Sequence, residues 1–209
     1  ALDILSIVVA AAFGGWPNLI PLIVFVGIRY SLRYGHCKNS IFGYAGYSMI
    51  LYQLTGNLKK ASQYADLSLR LLERFDVKDI EARTINTAYS FVKHWTVDYR
   101  QMAELYYRTF QRALRLGDYG NGAMSARYAV LYHYYGGTTI DHVLERSIEM
   151  ADKLKQLRQG VEYSVVCLFG QSCLNLQGKN DNPAVLHGSM ADIDQLEQDD
   201  QLSFNAIFQ

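Results

Sequence analysis

Between Leu58 and Phe75 the apolar positions step by three and four residues. Leu58, Ala61, Ala65, Leu69 and Leu72 share one face, with Phe75 at its edge, while Lys59, Lys60, Gln63, Asp66, Arg70, Glu73 and Arg74 take the other. This spacing predicts a half-buried amphipathic helix. Leu67 and Leu71 lie off the stripe and require a second neighbour. The preceding stretch, from Ile41 through Tyr44, Ala45, Met49 and Tyr52 to Leu54, is apolar nearly all round. A helix there needs cover on several sides. Gly56-Asn57 makes a tight turn between the two. Ser40 to Phe75 therefore reads as a helical hairpin that cannot stand alone.

Similar hairpins follow. The second runs from about Asp79 to Gly117, with Ile85, Ala88, Tyr89 and Val92 on its first helix and Tyr99, Met102, Ala103, Tyr106, Phe110 and Ala113 on its second. Its turn is His94-Trp95-Thr96, where Thr96 is the expected N-cap and Trp95 is expected to plug the gap between hairpins. The third runs from about Gly120 to Leu157. Ala123, Ala126, Val130 and Tyr134 mark one helix, Ile140, Val143, Leu144, Ile148, Ala151 and Leu154 the other, and Gly136-Gly137-Thr138 the turn. Thr138 and Asp141 have capping-box spacing, with Asp in place of Glu. A fourth first helix spans about Val161 to Leu176 and ends at Gly178.

The turns fall near residues 57, 96, 137 and 178, a period of about 40 residues. A helix pair recurring at such an interval is the mark of a solenoid. The expected architecture is all-α, a right-handed α-solenoid of stacked helical hairpins, tetratricopeptide-like. Residues 1–38 form an N-terminal helix pair, residues 39–178 three and a half repeats, and residues 179–209 a linker with a further helix starting at Leu202.

From Ile4 to Ile28 the chain carries no charge. Gly14-Gly15-Trp16-Pro17 divides that run, Pro21 follows, and neither half reaches the roughly 20 residues of a membrane span. Two helices are expected, about Leu2 to Phe13 and Asn18 to Arg33. Proline sits near the start of the second, where it costs least. Gly35 is the expected C′ residue and Ser40 the N-cap of the next helix. A membrane partner is not expected.

Composition narrows the function classes. The 20 basic and 20 acidic residues among 209 balance, which argues against a nucleic-acid binder. Half the residues are hydrophobic, so disorder is not the default. Cys37, Cys167 and Cys173 form no Cys-x-x-Cys pair, which suits a reducing cytoplasm, and Cys167 and Cys173 read as buried apolar residues. No charged n-region precedes the first apolar run, so no signal peptide is expected, and the chain reads as a piece of a longer protein.

Catalytic chemistry is sparse. No phosphate-binding Gly-x-x-x-x-Gly-Lys loop is present, and Gly120-Asn-Gly122 lacks the strand and third glycine of a dinucleotide site. No cofactor, metal site or catalytic residue is assigned. Asp141-His142-x-x-Glu145 puts a His and carboxylates on one helical face. A pocket near His133, His142 and Glu145 therefore defines an alternative reading, a self-contained helical ligand- or metal-binding protein or enzyme. Arg108, Arg112 and Arg115 read as a solvated face. Tyrosine is abundant, at 16 residues. Tyr128, Tyr132 and Tyr135 recur at i, i+4 and i+7, and first helices line the concave side of such arrays. With Tyr89 and Tyr163 they form the candidate partner-binding surface for a protein or peptide, set against the plainer role of packing between repeats.

Tyr52 and Leu54-x-Gly56-Asn57, then Ala61, resemble a degenerate tetratricopeptide repeat. Three longer stretches are more specific. They are Ser40-Ile-Phe-Gly-Tyr-Ala-Gly-Tyr-Ser, Ala65-x-x-Ser-Leu-Arg-Leu-Leu-Glu-Arg-Phe75, and the Phe91-Val-Lys-His-Trp95 turn. With Leu19-Ile-Pro-Leu22 and Asn182-Pro183 they resemble the helical-repeat region of very large bacterial signalling proteins. Those proteins join a serine/threonine-kinase-like domain, an AAA-type ATPase, this repeat region, a GAF sensor and often a histidine kinase. The resemblance implies a non-catalytic scaffold or regulatory segment that contacts a protein, a peptide or flanking domains. The catalytic residues of that family lie in its other domains.

Overall fold

A computed structural model describes residues 2–180 and 182–194, the side chains of residues 3, 6, 10, 13 and 14 excepted. Every regular element among them is helical: α1 (Leu2–Gly15), α2 (Ile20–Tyr34), α3 (Lys38–Thr55), α4 (Leu58–Phe75), α5 (Glu81–Phe91), α6 (Tyr99–Leu116), α7 (Tyr119–Tyr135), α8 (Ile140–Gln156) and α9 (Gly160–Leu176). Short 3-10 turns at Pro17–Leu19 and Lys93–Trp95 precede α2 and α6. The chain divides into two compact units, Ala1–Val97 and Asp98–Gln209.

In the first unit α3 packs against α1, α2, α4 and α5. That explains its lack of a polar face. Ile41, Tyr44, Ala45, Ser48, Met49 and Ile50 point in several directions and all are buried. By contrast, α4 buries one stripe, Ala61, Ala65, Ser68 and Leu72, as its three-and-four spacing predicts. Leu67 and Leu71 are half-buried. Phe75 stays exposed.

The second unit repeats this alternation. Here α7 packs on α6, α8 and α9, while α8 also packs on α9. Met102, Ala103, Tyr106, Phe110 and Ala113 form the single buried stripe of α6, and Val143, Ser147, Met150, Ala151 and Leu154 that of α8. In both units odd-numbered helices also touch at intervals of two: α1 with α3, α3 with α5, and α7 with α9. The core of the second unit gathers Phe110, Ala126, Val130, Met150, Leu154, Val166 and both buried cysteines, Cys167 and Cys173. Burying side chains of the Leu or Phe kind contributes about 1.5–3 kcal/mol each.

Small residues let the helices approach closely. A Cβ on Gly122 of α7 would lie 3.1 Å from the Ala113 Cβ of α6. The buried hydroxyls of Ser48, Ser68 and Ser147 donate to Ala45 O, Ala65 O and Val143 O of their own helices at 2.7, 2.7 and 2.8 Å. A polar atom that bonds within its helix can sit in an apolar seam without a lost hydrogen bond.

The helix ends correct four sequence expectations. Ser40 is not the N-cap of α3. Cys37 holds that position, and the Ser40 hydroxyl, three residues in, accepts from the Cys37 N–H at 3.0 Å. Thr96 does not cap α6, because the 3-10 turn takes it up, its N–H donating to Lys93 O at 2.9 Å. The cap is Asp98. Thr139, not Thr138, precedes α8, and no side chain caps it. Trp95 plugs no gap: it is exposed, edging Tyr52 with ring centroids 6.3 Å apart. Gly35, Gly56 and Gly117 do end α2, α3 and α6 at positive φ.

Residues 182–194 are not a plain connector. They fold back on α9 through side-chain amides. Buried Asn175 donates to Val185 O at 2.7 Å, Asn180 to His187 O at 2.6 Å, and Gln171 accepts from Met190 N–H at 3.0 Å. The loop closes with an antiparallel bridge between His187 and Asp192. The expected helix start at Leu202 lies outside the described residues.

Candidate functional site

The five tyrosines of the candidate partner surface divide among different environments. Tyr132 is buried. Its ring stacks on Tyr106 of α6 at 5.5 Å and lies 5.3 Å from Tyr99, and burial pushes its phenol well above the usual range. Tyr128, half-buried, lies 5.0 Å from Tyr106, with the Arg127 guanidinium 4.8 Å above its ring. These two therefore sit in the α6–α7 seam. Tyr135 is 61% exposed and edges Tyr134 and Phe169, on the side of α9. Tyr163 is half-buried, and a hydrogen bond with the Cys167 thiol raises its phenol. Tyr89 belongs to the first unit, where burial, then Asp66 and Glu73, raise it. A shared i, i+4, i+7 face did not yield a single row, because the helix turns Tyr135 away from the partner that covers Tyr128 and Tyr132.

One internal ion pair links α7 to α9. Arg127 Nε lies 3.1 Å from Glu162 Oε2, each side chain 14% exposed. Burial raises the Glu162 carboxyl, and Arg127 opposes the rise. Removing one partner of such a pair leaves the other as an uncompensated buried charge, which is strongly destabilising.

His133 and His142 do meet, their rings edge to face at 5.1 Å. His133 Nδ1 faces the Thr138 hydroxyl at 3.3 Å, and His142 Nδ1 lies 4.0 Å from Glu145. Burial, then His142 and Arg146, hold His133 below the usual imidazole range. Among the described residues, however, the group of three potential metal ligands whose donor atoms converge within 4.8 Å is a different one: His187, Asp192 and Asp194. The sequence reading passed over it. The His-x4-Asp-x-Asp spacing is visible in the chain, but its convergence depends on how the loop folds.

Cavities are small. An apolar slot in the first unit, lined by Val9, Val24, Gly27, Phe42, Met49 and Phe91 among others, holds about 60 Å³. Small-molecule sites run to roughly 300–1,000 Å³.

Exposed apolar side chains gather on α1 and α2. On α1, Ile4 and Ile7 are 66% and 70% exposed, and Val8 lies beside them. On α2, Leu22 is 60% exposed, with Phe25 and Val26 one turn on. Trp16 stands between the helices at 73%. The opposite sides of the same helices, Val9, Ala12, Ile20 and Val24, are buried. At the far end of α2, Tyr30 and Tyr34 stack at 5.7 Å and Arg33 lies over the Tyr34 ring. No helix among the described residues is long and apolar enough to cross a membrane.

The class these features define is an all-helical protein with layered packing and an exposed apolar helix face. The chain matches no family model, no curated protein and no solved structure.

Proposed function

We propose that the chain is a non-catalytic helical-repeat segment that holds a protein partner or a flanking domain, working as the regulatory scaffold of a larger signal-transduction ATPase or kinase. The observation that carries the interaction role is the uncharged face of α1 and α2. Its exposed residues step by three and four, Ile4, Ile7 and Ala11 on one helix, Leu22, Phe25 and Val26 on the other. That spacing seats another amphipathic helix. The alternation of helices covered on several sides with helices covered on one supports a right-handed solenoid of hairpins, in which each pair shields the next. The signalling context rests on the resemblance of the Ser40–Ser48, Ala65–Phe75 and Phe91–Trp95 stretches. Tyr135, exposed beside Phe169, is the accessible anchor of the tyrosine set.

A photo-crosslinking residue at position 25, expressed in the native cell, tests the interaction. Capture of one discrete protein, or of a flanking domain, is expected, and Ile7→Glu with Leu22→Glu should abolish it. No crosslink, or crosslinks to lipid only, contradicts the reading.

A further inference from the structure

The loop after α9 brings three metal-ligating side chains together. His187 Nε2 lies 3.0 Å from Asp194 Oδ2 and 3.7 Å from Asp192 Oδ1. Tetrahedral ligands on bonds of about 2.0–2.1 Å stand about 3.3 Å apart, between those two distances. The His187 side chain is 42% exposed, but Nε2 itself is shielded from solvent and makes no hydrogen bond, and it pairs ionically with the two carboxylates only when the imidazole is protonated. Asp194 is near enough to accept a hydrogen bond, so its oxygen must sit off the axis along which that nitrogen would donate. Two carboxylates thus border a nitrogen that neither of them hydrogen-bonds.

We propose that His187, Asp192 and Asp194 bind a divalent transition metal of the zinc class. One imidazole and two carboxylates suit zinc or manganese, whereas magnesium prefers an all-oxygen set. The three come from opposite limbs of the loop, so the ion ties residue 187 to residues 192 and 194. Three protein ligands leave a fourth position for water. The surroundings hold the ligands in place. Asn180 donates to the His187 carbonyl at 2.6 Å, the Asp194 N–H donates to Asp192 Oδ1 at 3.1 Å, and the Gly188 N–H donates to Ala191 O at 2.9 Å. Fixing ligands through their neighbours is how proteins raise metal affinity.

Titration of the metal-stripped chain with zinc chloride by calorimetry tests this. One zinc per chain in the micromolar range is expected. His187→Ala and Asp194→Asn should each weaken binding by about tenfold or more, with helical circular dichroism unchanged, since neither residue lies in α1 to α9. Zinc should also slow amide exchange across residues 186–194 in the parent chain and not in His187→Ala. No binding, or binding that both variants retain, overturns the assignment, and loss on His133→Ala instead would move the site to the histidine pair.

Discussion

At the scale of single residues, two glycines two positions apart on the sequence play opposite parts. Gly120 has open space where a Cβ would stand. Gly122 has the Ala113 Cβ at 3.1 Å and Phe110 at 3.8 Å. Gly122→Val should therefore force α6 and α7 apart and lower stability by about 1–3 kcal/mol. Gly120→Ala should instead leave stability unchanged or raise it by about 0.5–1 kcal/mol, since only the flexibility of the unfolded chain is lost. Urea unfolding of the two variants checks the contrast, and equal effects would contradict the packing described for this seam. The sequence showed Gly120-Asn-Gly122 only as a weak nucleotide motif. Which glycine is packed depends on the partner helix, and spacing along one chain does not reveal that. The same holds for the tyrosines. Their i, i+4, i+7 steps were legible, but the choice of α6 as cover for Tyr128 and Tyr132 was not. His187 was harder still, because its meeting with Asp192 and Asp194 depends on Asn175 and Asn180 bonding to loop carbonyls.

At the scale of elements, period gave the helices and chain chemistry gave most ends. The stripe of α4 was legible because a helix with one covered side must alternate in its own sequence. So was the all-round apolar character of α3, which the cover of α1, α2, α4 and α5 explains. Caps were less legible. Thr96 had the right side chain, but the Lys93–Trp95 turn lengthens the connection and passes the cap to Asp98. The α8–α9 connection carries a testable cost. Arg158 adopts φ 55°, a left-handed conformation that disfavours a Cβ. Arg158→Gly should stabilise the chain by about 0.5–1 kcal/mol, read as a higher thermal midpoint. A lower midpoint would mean that the arginine side chain holds the turn by contacts of its own.

At the scale of the whole molecule, one pattern recurs in both units: α3 and α7, apolar nearly all round, carry neighbours on several sides, while α4, α6 and α8 each bury one stripe. The first kind needs neighbours before and after it, and the second faces outward. That rule accounts for the odd-numbered contacts α1 with α3, α3 with α5 and α7 with α9. Native-state amide exchange measures that rule most directly, within each unit. Amides of α3 and α7, covered on several sides, should exchange more slowly than those of α4 and α8, which bury one stripe. Equal protection of the two kinds of helix, or slower exchange in α4 and α8, would contradict the account.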